Sequence, residues 1–400
     1  MRTYKFRIYP SKKQEELLNK HLRLAKNLWN ELLEHCKQTY EDFGYFPTKN
    51  TLQLMTKNYG FYAQAQQDIA NRIHNSIMRV FKFRKKGIKC GFPRFKSFDR
   101  MKSLHYPQDY PHGGFLLDKK LKVTPFGEIA IKKHREIKGR IKTLTLKKES
   151  SGKWFAIFAV EIPKEIPREN KGEVVGIDLG LKNFATLSDG RIIQNPRHLK
   201  KWEERLSFIQ RELSKKKKGC NNRKRAKLRV ARLYEKIADT RRDFLHKLSI
   251  ELVNNYSFIA SEKLASQEMA EQHYGKQIND AGWNMFANML AYKAEGAGCE
   301  VVFVNPENTS KMCSRCGSMT EKTLWDRTHN CQYCGLSIDR DLNAARNILT
   351  RATPGQGGSN ACDSLLERDV AEATSMKQEA PNKQEHVTGP FSKEVYSQQP

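Results

Sequence analysis

Four cysteines in two closely spaced pairs form the clearest candidate metal site of the sequence. Cys313 and Cys316 are separated by two residues, as are Cys331 and Cys334, and fourteen residues lie between the pairs. Four thiolates at this spacing close a tetrahedral zinc site without a position for water, which is typical of structural zinc. Unliganded thiols or an iron–sulfur cluster, whose ligands are usually denser, fit less well. The pattern predicts a zinc ribbon that needs its ion to fold.

Three acidic residues lie at the ends of predicted elements, far apart in the chain. Asp178 and Glu262 each end an apolar segment, and Asp341 lies at the start of a predicted helix. Three such carboxylates suit Mg²⁺ or Mn²⁺, and two ions about 4 Å apart can hydrolyse a phosphodiester bond. Spacing alone does not show that they meet, because each has an ordinary alternative: a turn, a solvated charge or a helix N-cap. Asp339 is a competing candidate for Asp341.

The charge of the chain indicates a polyanionic partner. The net charge is +28 over 400 residues, although 352–400 contain seven acids and only four bases. Nucleic acid is the commonest polyanion, so a nucleic-acid-binding protein is expected, with a merely basic soluble enzyme or a ribosomal or chromatin-like protein as alternatives. No run of eighteen apolar residues and no signal-peptide core are present, so a cytoplasmic protein without membrane contact is expected.

Two segments are candidates for phosphate contact. Residues 215–232 contain ten Lys or Arg and no acid, whereas ordinary solvated helices mix signs. The segment 91–96 interleaves aromatic and cationic residues, which suits either base stacking or a packed loop. The predicted nucleic-acid contacts are Lys215, Lys216, Lys217, Lys218, Arg223, Lys224, Arg225, Lys227, Arg229, Arg94 and Lys96, and Arg232 ends the basic run.

The N-terminal half is predicted to combine a small sheet or barrel with inserted helices. Residues 3–9 alternate as a strand with one wet face, and Ser11 with Gln14 forms a capping box for the helix that follows. Further helical pattern runs from 48 to 86. Strands are predicted at 114–118, 121–125, 128–132, 141–147 and 153–161.

The second half is predicted to alternate strands and helices after a linker at 162–172. Strands are predicted at 173–178, 183–188, 256–260 and 300–304, and helices at 199–254, 279–297 and 340–350. The strand ends bring Asp178 and Glu262 to element boundaries. The glycine-rich and polar remainder is expected to be disordered.

Several motifs, taken together, resemble TnpB, the OrfB protein of insertion sequences. The matching segments, which occur in the family's order and span about 1–351, are YKFRIYP (4–10), GFPRF (91–95), GIDLGLKNFA (176–185), DAGW (280–283), TS followed by CSRCG (309–317) and DRDLNAARNI (339–348).

This resemblance implies an RNA-guided DNA endonuclease of a transposable element, related to type V CRISPR effectors. It would bind a guide RNA from the end of its own element and cut double-stranded DNA beside a short flanking motif, acting as a monomer in a prokaryotic cytoplasm, associated with the nucleoid. By motif match, Asp178, Glu262 and Asp341 would be the catalytic carboxylates that hold Mg²⁺ or Mn²⁺, and the four cysteines would hold Zn²⁺. The residues that flank Glu262 depart from the usual family pattern.

The fold class implied is α/β multidomain, with an RNase H-like (RuvC) nuclease core, an inserted zinc ribbon and an N-terminal β-barrel (wedge) domain that carries a helical recognition insertion. The boundaries implied are 1–10 and 98–165 for the wedge domain, 11–97 for the recognition domain, 171–308 and 339–351 for the nuclease domain, 309–338 for the ribbon and 352–400 for the tail.

Two other functions remain open at the level of sequence. RNase H-like cores also occur in transposases that transfer DNA strands, although a tyrosine transposase is disfavoured because no paired His-x-His motif is evident. A guide-RNA-dependent DNA-binding repressor without cleavage is the other alternative. The presence of all three motif carboxylates argues against such a decayed site.

Overall fold

The structure is a computed structural model that describes residues 1–57, 59–109, 113–163, 167–264, 269, 274–323 and 326–353. The predicted tail from residue 354 onward and residues 164–166 of the predicted linker lie outside the described residues. Within the described part, no helix combines the length and apolar character that crossing a membrane requires.

The first sheet has seven antiparallel strands, in the spatial order β2-β6-β7-β1-β5-β4-β3. Tyr106 at one edge donates a hydrogen bond to the carbonyl of Thr124 near the other edge (3.2 Å), so the sheet is a nearly closed barrel. The strand β2 was not predicted from the sequence. The strands are β1 (Arg2–Tyr9), β2 (Ser103–Tyr106), β3 (Phe115–Leu117), β4 (Leu121–Val123), β5 (Gly127–Lys132), β6 (Arg140–Lys148) and β7 (Trp154–Glu161).

Three helices between β1 and β2 share one core with this barrel. They are α1 (Lys12–Phe43), α2 (Lys49–Leu54) and α3 (Ala63–Lys85). The predicted capping box is confirmed: the side chain of Ser11 accepts from the backbone of Gln14 (3.3 Å), and the Gln14 side chain accepts from the backbone of Ser11 (2.9 Å). The helical pattern predicted over 48–86 corresponds to the two helices α2 and α3.

The second sheet is mixed, with the order β10-β9-β8-β11-β12. Its strands β8, β11 and β12 are parallel to one another, while β9 pairs antiparallel with β8 and with β10. Buried parallel strands read as continuous apolar runs, which is how 174–177 and 258–261 appear in the sequence. The strands are β8 (Glu173–Leu179), β9 (Asn183–Leu187), β10 (Ile192–Gln194), β11 (Tyr256–Glu262) and β12 (Glu300–Val304).

The helices around this sheet are shorter than predicted. The pattern over 199–254 is a hairpin of α4 (His198–Ser214) and α5 (Asn221–Asn255), joined near Gly219 (φ +88°) and packed through Leu206, Leu233 and Ile237. The pattern over 279–297 is broken at Gly282, whose φ of +71° separates two helices. These are α6 (Gly275–Ala281) and α7 (Trp283–Ala297).

The two cysteine pairs lie between β12 and the last helix. A short antiparallel hairpin, β13 (Thr328–Asn330) and β14 (Ser337–Asp339), leads directly into α8 (Arg340–Ala352). The helix α8 packs against β8 and β11, so it returns the chain to the second sheet after the cysteine-containing insert. It also extends through Ala352, which was predicted to belong to the tail.

Candidate metal centres and nucleic-acid surface

The first two candidate carboxylates lie on neighbouring strands. In the parallel pairing of β8 with β11, Ile177 is opposite Ser261. Asp178 and Glu262 each come one residue later, so they are opposite each other on neighbouring strands. Opposite residues point to the same face of a sheet. The register therefore places both carboxylates side by side at the same end of the sheet.

The third candidate, Asp341, lies in the first turn of α8. Its competitor Asp339 caps the helix instead: one Asp339 oxygen accepts from the backbone nitrogens of Asp341 (2.9 Å) and Leu342 (3.2 Å). The side chain of Asp339 is thus engaged in hydrogen bonds with the backbone of α8. Asp341 remains available as a ligand, with Arg340 as a neighbour at 3.4 Å.

The charges of the other two carboxylates act on Asp178. Burial raises the pKa of Asp178 well above its ordinary value, and the negative charges of Glu262 and Asp341 raise it further. Burial also raises the pKa of Glu262, whereas a hydrogen bond from Thr309 acts in the opposite direction. Clustered acids of this kind are costly unless a cation or protons compensate them, so the donor set fits a divalent ion.

The carboxylates do not form a tight cage. Among the described His, Cys, Asp and Glu residues, the only group whose ligand atoms all lie within 4.8 Å of one another is the four cysteines. Asp341 is near Arg340, and Glu262 is bonded to Thr309. Each of these two carboxylates therefore has a protein partner of its own.

The cysteines meet as the spacing predicts. The sulfur atoms of Cys313 and Cys334 are 3.6 Å apart, and those of Cys316 and Cys331 are 3.5 Å apart. Zinc–sulfur bonds of about 2.3 Å in a tetrahedron give sulfur separations of about 3.8 Å, so these residues fit zinc. Hydrogen bonds with the side chain (3.4 Å) and backbone of Ser318 lower the pKa of Cys316 to about 6, whereas burial and the neighbouring thiols raise the pKa of Cys334 to about 12.

The two knuckles that hold the cysteines have the same backbone geometry. The nitrogen of Gly317 donates to the carbonyl of Cys313 (2.9 Å), and that of Gly335 donates to the carbonyl of Cys331 (3.0 Å). The φ angle is +73° at Gly317 and +72° at Gly335, a backbone conformation that residues with a side chain rarely adopt. The sequence signal was therefore a glycine directly after the second cysteine of each pair.

The basic run lies at the tip of the α4–α5 hairpin and not on one continuous helix, which corrects the expectation. Lys215 to Lys218 are exposed where the chain reverses. Arg223 differs, because its guanidinium donates to the carbonyls of Leu213 (3.0 Å) and Lys216 (2.7 Å). Arg223 therefore has a structural role at the end of α4. The other predicted contacts of the run, Lys224, Arg225, Lys227 and Arg229, are exposed on α5.

The aromatic–cationic segment 91–96 is packed along α1. The indole of Trp29 donates to the carbonyl of Arg94 (3.2 Å), and Asn30 exchanges two hydrogen bonds with the backbone of Lys96 (3.0 and 2.8 Å). The Lys96 ammonium lies 3.6 Å from the centre of the Trp29 ring. The packed-loop interpretation therefore accounts for Lys96, whereas the exposed side chain of Arg94 remains available to a partner.

Sequence reasoning assigned no role to three buried residues that join Glu262 to the helix of Asp341. Thr309, Asn343 and Asn347 are all buried polar side chains with hydrogen-bond partners. The available signal was two asparagines four residues apart on the apolar face of a helix, where buried polar groups are uncommon unless bonded.

Comparison with known families shows which proteins this chain resembles. The family described as "Probable transposase" (OrfB_IS605) matches residues 157–273, and the Cas12f1-like TNB domain matches residues 283–348. A third family, the OrfB_IS605 helix-turn-helix domain, matches residues 1–44, which form the strand β1 followed by the long helix α1. The chain is therefore similar to TnpB (OrfB) proteins in three separate segments.

Relatives align over nearly the whole chain. "Putative RNA-guided DNA endonuclease InsQ" of Escherichia coli K12 is 28% identical over 87% of this chain and 92% of its own length. A Streptomyces pristinaespiralis protein described as an RNA-guided DNA endonuclease in the same terms is 29% identical over 94% of this chain and 96% of its own. A solved Cas12f1–sgRNA–target DNA complex matches with a TM-score of 0.55 and 16% identity, covering 84% of this chain and 83% of the Cas12f1 chain, so the two share a fold.

Proposed function

We propose that this protein is an RNA-guided, divalent-metal-dependent DNA endonuclease of a transposable element, which cuts target DNA next to a short flanking motif by phosphodiester hydrolysis. One observation supports the proposal: Asp178 lies beside Glu262 on the neighbouring strand, and the negative charges of Glu262 and Asp341 both raise the pKa of Asp178. Relatives named as RNA-guided DNA endonucleases align over the same chain.

The catalytic work is assigned to a RuvC-type site built on the second sheet. Asp178 and Glu262 would hold Mg²⁺ or Mn²⁺ from the strand ends, and Asp341 would do so from the first turn of α8. Bound ions of this class activate a water molecule and stabilise the leaving oxygen of a phosphodiester. The protein's own contribution is to fix three carboxylates on rigid elements, which supplies orientation.

The partners proposed are a guide RNA from the end of the element and double-stranded DNA. The exposed cations of 215–229 at the hairpin and the exposed Arg94 would contact phosphates, which position a nucleic acid without reading its sequence. The four cysteines would hold a structural Zn²⁺. The domain boundaries inferred from the sequence are retained as part of the proposal, with α8 ending at Ala352, and the protein is expected to act as a monomer.

The test begins with RNA that copurifies with the protein. That RNA is sequenced, and its guide portion is exchanged to direct cutting of a chosen DNA in the presence of Mg²⁺. We expect programmed cleavage by the wild type, none by Asp178→Ala, and unchanged RNA and DNA binding by that variant. Asp243→Ala is the matched control, because Asp243 is an exposed acid on α5.

The alternatives give different results in the same assays. Strand joining without RNA would favour the transposase, and RNA-dependent binding without cutting by the wild type would favour the repressor. Undiminished cutting by Asp178→Ala would reject the assigned site.

A further inference from the structure

Thr309 lies between the last strand of the second sheet and the first cysteine pair, in a segment without regular structure. Its side chain is buried, with 4% exposed, and its hydroxyl donates to a carboxylate oxygen of Glu262. The carbonyl of Pro306 is a second acceptor at 3.0 Å. A hydroxyl has one proton, and hydrogen bonds to charged acceptors are the stronger ones, so an ionised Glu262 receives it.

The backbone of Thr309 is itself held by the helix that carries Asp341. The Asn347 amide donates to the carbonyls of Thr309 (2.8 Å) and Met312 (2.6 Å). One turn earlier, Asn343 donates to Met312 (2.7 Å) and accepts from the backbone nitrogen of Ser314 (2.9 Å). Both asparagines are buried, so α8 is bonded to 309–314 without intervening solvent.

The segment 309–314 also builds the first cysteine knuckle. The backbone nitrogen of Cys313 donates a hydrogen bond to the carbonyl of Ser318 (2.9 Å), and Met312 and Met319 form an isolated antiparallel β-bridge. The same six residues therefore contact Glu262, the helix of Asp341 and the cysteine site. A change in the fold of the knuckle would reach the carboxylates through Thr309 and Asn347.

We propose that Thr309 is a positioning residue that holds Glu262 in its ion-binding orientation, and that Asn343 and Asn347 join this contact to the cysteine knuckle. The inference rests on the proposed function, since it assigns Glu262 to the divalent ion. Thr309 binds one Glu262 oxygen and leaves the other without that bond, and Asp178 lies beside Glu262 on the neighbouring strand. Groups that orient a metal ligand typically change metal affinity by about 10–100-fold when they are removed.

The decisive variants are Thr309→Val and Thr309→Ser in the protein purified with its RNA. Valine keeps the branched shape and removes the hydroxyl, whereas serine keeps the hydroxyl and removes a methyl group. Mn²⁺ binding is titrated by electron paramagnetic resonance, which needs no turnover. The Mg²⁺ concentration for half-maximal cleavage and the rate at saturating Mg²⁺ are measured separately, with zinc content and melting temperature as folding controls.

We expect Thr309→Val to weaken Mn²⁺ binding and raise the half-maximal Mg²⁺ concentration by about 10-fold or more, with cleavage at saturating Mg²⁺ within a few-fold of wild type. Thr309→Ser, which keeps the hydroxyl, should have the Mn²⁺ affinity and the half-maximal Mg²⁺ concentration of the wild type. Wild-type Mn²⁺ affinity in Thr309→Val would overturn the inference. So would equal losses in both variants accompanied by lost zinc, because the residue would then be a packing element.

Glu262→Gln separates failure of this inference from failure of the proposed function. If Glu262→Gln abolishes cleavage and Thr309→Val binds ions like the wild type, only the positioning role of Thr309 is wrong. If Glu262→Gln cuts and binds Mn²⁺ like the wild type, the assignment of Glu262 itself is wrong, and the inference falls with it.

Discussion

Gly176 of β8 lies directly beneath the backbone carbonyl of Ala345 in α8. A Cβ atom at position 176 would be 2.0 Å from that oxygen and 2.9 Å from the backbone nitrogen of Leu349. This close approach brings the helix of Asp341 onto the strand of Asp178. The distance between two candidate ligands therefore depends on the absence of a side chain two residues before Asp178.

Gly176→Ala should push α8 away from β8. Overpacking of this kind costs about 1–3 kcal/mol, and a displacement of about 1 Å at a reacting group can reduce the rate about 100-fold. We expect a lower melting temperature and a large loss of Mg²⁺-dependent cleavage. Gly91→Ala is the control, because no atom lies within 4 Å of its added methyl group. Equal behaviour of the two variants would contradict the close-packing argument.

The raised pKa of Asp178 predicts a pH-dependent stability in Mg²⁺-free buffer. An acid whose pKa is higher in the folded than in the unfolded state binds its proton more tightly when folded. Stability is therefore greatest below the unfolded pKa of about 3.9 and falls as pH rises through the raised folded value. Asp178→Asn should remove much of this loss and be more stable than wild type at the upper end of the range.

Melting temperatures between about pH 5 and 8, with and without Mg²⁺, measure this effect. Mg²⁺ should raise the melting temperature of the wild type and change that of Asp178→Asn little. Asp243→Asn, at an exposed acid, should follow the wild type. Identical pH slopes for the wild type and Asp178→Asn would show that the carboxyl of Asp178 is not destabilised by its surroundings.

Features of the site that depend on local sequence could be predicted. The cysteine spacing fixes its own loop geometry, and the capping box of Ser11 with Gln14 needs only four consecutive residues. The ends of the apolar runs also indicated that Asp178 and Glu262 lie at the ends of strands. Their adjacency follows from the strand register, which sequence periodicity does not determine.

Features that depend on distant contacts, or on small local preferences, could not be predicted. The bond between Thr309 and Glu262 joins residues 47 positions apart, and it exists only once β11, β12 and α8 are packed. The break between α4 and α5 was missed because lysines favour helix, while a single Gly219 disfavours it by only about 1 kcal/mol. The strand β2 has four residues and is specified by its pairing with β6.

Loss of one knuckle cysteine should release zinc. Cys331→Ser removes a buried ligand, and the small insert has few apolar residues of its own: its core is Cys313, Cys331 and Leu336. We expect the zinc content to fall from about one ion per chain to near zero, with cleavage lost as the knuckles unfold. Cys90→Ser, far from the cluster in sequence, should retain zinc and activity. Full zinc retention by Cys331→Ser would contradict the four-thiolate site.

The basic hairpin permits a separation of electrostatic from structural roles. Replacing Lys215, Lys217 and Lys218 by Gln removes three exposed charges. Lys215 also loses an ion pair with Glu212 (3.2 Å), which is exposed and therefore contributes little to stability. RNA affinity should fall, and the slope of log affinity against log salt should decrease by about 0.7–0.9 for each phosphate that is no longer neutralised. Melting of the RNA-free protein should not change.

Arg223→Gln should show the opposite pattern. Its guanidinium donates hydrogen bonds to the carbonyls of Leu213 and Lys216, so its loss leaves the end of α4 uncapped. The free energy of unfolding should fall by about 1–3 kcal/mol at most, because solvent screens a partly exposed bond, and the melting temperature should fall with it. The salt dependence should change by less than that of the triple variant. Lys247→Gln, at an exposed lysine paired with Asp243, controls for non-specific charge loss. If the triple variant melted lower and kept its salt slope, the exposed lysines would be structural and the phosphate-binding surface would have to lie elsewhere.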